Sequence, residues 1–121
     1  MLFLFGMGIT KSFSQAPDCH NHTGCTYSVT VYYVDGSSNP QSASYTHNAN
    51  SDFSVGAYLS GLPGGFTANS ITGYDFGTGA GIFTVPASGT TCTPLPCPSC
   101  PNGLGAQVCI DGAGMYDITC L

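Results

Sequence analysis

The sequence predicts a small all-β domain: a disulfide-stabilised β-sandwich, immunoglobulin-like or similar, with about seven short strands. Three observations carry that reading. Apolar and polar residues alternate along several short runs, turn residues recur roughly every ten positions, and seven cysteines are spread through a 121-residue chain of low charge. Nothing shows the 3.6-residue period of a helix, and no capping box precedes an apolar run of helical length.

Pro17 to Gly24 reads as a polar lead-in, and Cys25 to Val34 as the clearest strand. Cys25, Tyr27, Val29, Val31 and Tyr33 fall on one face because strand side chains alternate, and Thr26, Ser28, Thr30 and Tyr32 fall on the other. Asp35-Gly36-Ser37-Ser38-Asn39-Pro40 is a turn in which Asp-Gly supplies the positive φ. Ser42 to His47 is a polar strand suited to a sheet edge. Phe53 to Leu59 alternates again with Phe53, Val55, Ala57 and Leu59 inward, and Gly61 to Gly65 is a loop. Shorter strands are expected around Ser70 to Phe76, Gly81 to Val85, Ala106 to Ile110 and Tyr116 to Leu121. Asp52 to Pro63 aligns with Asp75 to Pro86 at a constant offset, sharing Asp, Phe, Gly, Ala and Pro. Two similar β-arches or chance matching in a Gly- and Ala-rich chain would both produce this.

Leu2 to Ile9 is an apolar run too short to span a bilayer and suited to a signal-peptide core, with Ser12 and Ser14 as small residues before a cut. Residues 1–14 are therefore expected to be a signal peptide, cleaved near Ser14-Gln15 or after Ala16, and residues 15–121 a single domain. The ending resembles those of exported proteins of gram-negative bacteria. The lone Lys11 follows the apolar run, where a signal would carry its cation in front, and a buried first strand is the alternative.

Charge sets the excluded functions. Only 6% of residues are charged, with six acids, all Asp, against a single cation, where an ordinary domain carries about a quarter. There is no basic footprint for phosphates, which argues against nucleic acid and anionic membrane surfaces as partners. With 42% apolar residues the chain still has material for a core, under a surface of hydroxyl and amide groups whose weak charge repulsion favours self-association.

The Cys92 to Pro101 stretch decides the class. Cys92-x4-Cys97-x2-Cys100 has the spacing of a plant-type ferredoxin loop, but its prolines offer no backbone N–H to cluster sulfurs. Cys97-Pro98-Ser99-Cys100 resembles a thioredoxin-like pair without the helix that would activate it. Seven cysteines in an exported chain read instead as a disulfide framework with one thiol left over, free or joining two subunits. The expected bridges are Cys19 with Cys25 or with the C-terminal group, and the Cys92 to Cys100 group tied to Cys109 and Cys120, leaving residues 92–101 as a stiff cross-linked loop.

Other constellations are weaker. Cys19, His20, His22, Cys25 and His47 can be drawn as a zinc site without the usual ligand spacing. Asn21-His22-Thr23 fits a glycosylation sequon. Asp35-x-Ser37-x-Asn39 echoes a calcium loop but lacks its Gly and Glu. Tyr32, Tyr45 and Tyr58 on outward strand positions suggest a stacking face for sugar. No catalytic motif is present, so the chain is read as a non-enzyme, with no catalytic, cofactor-binding or metal-ligating residue and no cofactor assigned. The expectation is a secreted or cell-surface structural or adhesive protein, a matrix or filament subunit acting through protein–protein contacts, with itself among the partners. The alternative is a small extracellular module for carbohydrate or calcium.

Overall fold

The computed structural model describes residues 18–64, 70–78, 81–87, 90–111 and 114–121. The expected signal peptide and its cut lie outside them. In chain order the elements are β1 (Asp18–Asn21), β2 (Tyr27–Val34), β3 (Pro40–His47), β4 (Ser51–Ser54), α1 (Val55–Ser60), β5 (Ile71–Thr78), β6 (Gly81–Pro86), β7 (Cys92–Leu95), β8 (Ala106–Ile110) and β9 (Tyr116–Cys120). They form two packed sheets, one of five strands in the order β4-β1-β9-β8-β7 and one of four in the order β3-β2-β5-β6. This is the expected sandwich. All neighbouring pairs are antiparallel except β1 with β9, which run parallel.

The alternation in β2 is realised: Tyr27, Val29, Val31 and Tyr33 are buried, and Ser28, Thr30 and Tyr32 point away. Opposite them lie Ala106, Val108 and Ile110 of β8 and Tyr116 and Ile118 of β9, with Tyr74, Phe76 and Val85 completing the layer. Each of the Val, Ile and Phe side chains among them contributes roughly 1.5–3 kcal/mol by leaving water. Tyr74 and Phe76 both meet Tyr116 edge-on, with centroids 4.9 Å apart in each case, the arrangement that ring quadrupoles favour.

Several expectations are corrected. Phe53 to Leu59 is not one strand: it is the end of β4 followed by α1. Val55 and Leu59 share a face at strand spacing and also at i,i+4, so so short an apolar run fits both periods. Ser54 decides it, since its extended backbone (φ −87°, ψ 95°) lets its hydroxyl accept from the Ala57 N–H at 3.4 Å as an N-cap. The two aligned segments accordingly differ in structure, strand then helix in the first, strands β5 and β6 in the second. The lead-in contains strand β1, which lies inside a sheet. The Cys/Pro stretch begins as edge strand β7, where Pro94 is tolerated because one side of the strand has no partner. In the 35–40 turn the positive φ falls on Ser38 (65°), while Gly36 serves a close approach, its N–H donating to the Gly64 carbonyl at 2.9 Å.

Three disulfides are present: Cys25–Cys97, Cys92–Cys109 and Cys100–Cys120. The expected tie of the Cys92 to Cys100 group to Cys109 and Cys120 is found. Cys19 is bridged to nothing, against expectation, because β1 turns it into the core, where it is buried. The remainder of the loop is held by the Tyr27 hydroxyl, which donates to the Pro96 carbonyl at 2.9 Å. Gly105 is required behind it: at φ +80° a Cβ would stand 2.9 Å from the Leu95 carbonyl oxygen.

Candidate functional site

The outer face of the four-stranded sheet is built from short hydroxyl side chains in register. Ser44 of β3 lies opposite Thr30 of β2, Thr30 opposite Asp75 of β5, and Asp75 opposite Thr84 of β6. Alternation puts all four outward, so they form one row across the sheet. Hydrogen bonds knit it: Ser44 and Thr30 hydroxyls are 3.0 Å apart, and the Thr84 hydroxyl donates to Asp75 Oδ1 at 2.7 Å. Tyr32, the next outward residue of β2, donates its hydroxyl to Asp75 Oδ2 at 2.6 Å, and this bond raises the phenol's pKa. Gly73, opposite Tyr32, carries no side chain, and the tyrosine remains 38% exposed. A register shift between Tyr32 and Tyr33 marks a bulge beside it, and the Thr72 hydroxyl donates to the Tyr32 carbonyl at 3.2 Å. Bulges of this kind re-aim side chains.

Only Tyr32 of the three expected stacking tyrosines belongs to that face. Tyr45 turns toward the other sheet and stacks on Phe53 at 3.9 Å, with its hydroxyl 2.8 Å from that of Tyr116. Tyr58 sits on α1 and donates to the Ser44 carbonyl at 2.7 Å. Sequence reasoning placed Tyr32 outward but missed Asp75, whose link to it spans 43 residues and has no local signature.

Between the two sheets lies a buried polar chain. His47 is fully buried, 2.7 Å from the Tyr116 hydroxyl through Nδ1 and 2.9 Å from the Ser51 carbonyl through Nε2. A carbonyl only accepts, so Nε2 carries the proton and Tyr116 donates to Nδ1. Burial lowers the imidazole pKa and keeps it neutral. Cys19 lies beside Tyr74, and burial pushes its thiol up to about 12. With its side chain shut in the core, this thiol is not exposed to meet a second subunit in the folded chain.

These positions scatter the drawn zinc set. His47 and Cys19 are in the core, Cys25 is bridged to Cys97, and His20 pairs on the surface with Asp52, Nδ1 to Oδ1 2.6 Å. That pair holds the Asp52 carboxyl below its ordinary range. Among the described residues no group of three His, Cys or acidic side chains can hold a metal ion. A shallow pocket of about 130 Å³ beside His20 is lined by Asp111, Met115, Tyr116 and Asp117. Among the described residues its lining contains no Ser, Thr or Cys.

The sequon is closed in the folded chain. Asn21 is 1% exposed; its amide donates to the Cys25 and Asn48 carbonyls, and its carbonyl accepts from Thr23 N–H and hydroxyl. Asp35 is likewise consumed by its own turn. It accepts from the Ser37 and Asn39 N–H groups at 2.8 and 3.0 Å and from Gln41 Nε2 at 3.0 Å, and the Asn39 bond leads in lowering its pKa.

A scan against family models, a search of curated proteins and a search of solved structures each find no match for the chain.

Proposed function

We propose that this chain is an exported structural or adhesive protein that works through protein–protein contacts, above all with copies of itself. The observation that carries the reading is the edge strand β6. Of the four edge strands, β4 and β7 are only four residues long; β4 bears exposed Asp52 and β7 contains Pro94, both of which discourage pairing. β3 is engaged by α1 through the Tyr58 hydroxyl. Among the described residues β6 carries no charged side chain, its one proline, Pro86, stands at the last position, and it presents Ile82 at 73% exposure. An uncharged edge of that length is a template for a further strand. Three disulfides suit an oxidising compartment, and among the described residues no helix is long and apolar enough to cross a membrane. Secretion through a gram-negative envelope is part of the same proposal.

The test is sedimentation velocity of the purified protein over a wide concentration range, with electron microscopy of the concentrated sample. Concentration-dependent assembly is expected, and Ile82→Lys is expected to shift it toward monomer. A wild-type protein that stays monomeric at high concentration refutes the reading. A second reading, a small carbohydrate-binding module, is favoured by the exposed ring of Tyr32 beside the Asp75 carboxylate. Calcium is less favoured at Asp35, whose two oxygens already accept three hydrogen bonds, from Ser37, Asn39 and Gln41.

A further inference from the structure

We infer that the outer face of the four-stranded sheet binds neutral, hydroxyl-bearing glycans, with Tyr32 as the stacking ring and Asp75 as the hydroxyl acceptor. The inference rests on the carbohydrate reading above and gives it a site and a ligand class. A pyranose presents an apolar C–H face and a rim of hydroxyls. An aromatic side chain with an apolar body and an anchored polar tip answers the first, and a carboxylate answers the second.

Both groups are held before any ligand arrives. The Tyr32 hydroxyl is fixed on Asp75 Oδ2 and the Thr84 hydroxyl on Oδ1, so neither side chain must be ordered on binding. An ionised carboxylate offers about four lone-pair sites, and the two protein donors leave one on each oxygen for sugar hydroxyls. Thr30 and Ser44 continue the row away from the carboxylate, and Thr72, whose hydroxyl donates to the Tyr32 carbonyl, and Pro86, opposite Gly73, are also exposed. From Ser44 to Thr84 the row crosses three strand spacings, about 14 Å, which suits an oligosaccharide better than a single sugar.

Charge selects the class of glycan. The row carries one carboxylate, and the chain's single cation, Lys11, lies outside the described residues. Sulfated, phosphorylated or uronic polymers meet a negative site with no Arg or Lys to bind them.

The experiment is a glycan array probed with the full-length secreted protein at physiological salt, with both neutral and acidic glycans, followed by calorimetric titration of the best neutral oligosaccharide. Neutral glycans are expected to bind. Tyr32→Ala and Asp75→Ala are each expected to weaken binding by about tenfold or more, and Tyr32→Phe, which keeps the ring, by less than about threefold. Near-ultraviolet dichroism and non-reducing mass confirm that each variant is folded, and Tyr32→Phe serves if the alanine variant is not. Failure of the wild type to bind any glycan overturns both the inference and the carbohydrate reading. Full-strength binding by folded Tyr32→Ala and Asp75→Ala overturns the site alone, binding of acidic glycans only overturns the ligand class, and burial of Tyr32 in an oligomer assigns the face to a second copy instead.

Discussion

Replacing both Cys25 and Cys97 with alanine should destabilise this protein more than removing either other bridge. A cross-link acts largely by restricting the unfolded chain, more so for longer loops. The three bridges span separations of 72, 17 and 20 residues. The chain-entropy relation converts these to about 4.4, 3.1 and 3.3 kcal/mol at 25 °C. Position supports the ranking. Cys25 enters β2 of the four-stranded sheet and Cys97 leaves β7 of the five-stranded one, so their bridge fastens the two layers together. Cys92 and Cys109 already face each other in the β7–β8 ladder, which persists without the bond. In a domain of this size about 1 kcal/mol moves Tm by about 4–8 °C, so Cys25→Ala/Cys97→Ala should melt lower than wild type by roughly 18–35 °C, and several degrees below the other two double variants. Calorimetry and urea unfolding of all three measure this, with intact mass under non-reducing conditions confirming the two remaining bridges. If Cys92→Ala/Cys109→Ala melts lowest, the loop argument and the account of the inter-sheet staple are both wrong.

Three other outcomes are expected. His47 is buried neutral with a lowered pKa, so below about pH 6.5 the unfolded state takes up a proton that the folded state refuses. Stability should be level from that pH up to about 8.5, where the Cys19 thiol begins to ionise in the unfolded chain, and fall below about pH 6.5 with a slope from this group of at most about 1.4 kcal/mol per pH unit; His47→Gln should flatten the acid fall, and denaturant titrations across pH check it. Cys19 should resist iodoacetamide in the folded protein at pH 8 and be the one thiol alkylated in urea, which peptide mapping reads directly; ready labelling of the native state would contradict its burial. Asp35→Ala should lower Tm by freeing the turn donors of Ser37, Asn39 and Gln41, while millimolar calcium should leave the wild-type Tm unchanged in a thermal shift assay.

How far the sequence reveals this molecule depends on where the ordering information resides. β2 is legible because eight residues alternate without interruption, and the polar β3 reads as an edge because nothing in it asks for burial on two sides. β1 is invisible for the opposite reason: Asp-Cys-His-Asn contains no aliphatic residue. Its inward positions are a thiol and an amide that donates to the Cys25 and Asn48 carbonyls and accepts twice from Thr23. α1 was hidden by the coincidence that Val55 and Leu59 satisfy two periods, and only the Ser54 cap distinguishes them. The outward position of Tyr32 followed from alternation. Its partnership with Asp75 depends on strand order, which local pattern does not encode, and so do the disulfide pairings.

The proposed pairing edge and the proposed glycan face meet on β6, and if both hold the geometry lets them act together. Strand pairing uses backbone groups in the plane of the sheet, whereas Thr84 points perpendicular to it. A second copy added antiparallel at β6 would be related by a two-fold axis and would leave every outward side chain uncovered, joining the Ser44-Thr30-Asp75-Thr84 row to its counterpart in one eight-stranded face. Two of the proposed Tyr32–Asp75 sites would then act on one polymer, and the second engagement would become intramolecular, raising avidity by about 10²–10⁴ without a new contact when geometry permits. Ile82→Lys should therefore leave affinity for a short oligosaccharide unchanged while sharply weakening retention on the corresponding immobilised polysaccharide. Surface plasmon resonance with both ligand formats separates the two effects, and equal losses on both would mean that the edge and the face do not act together.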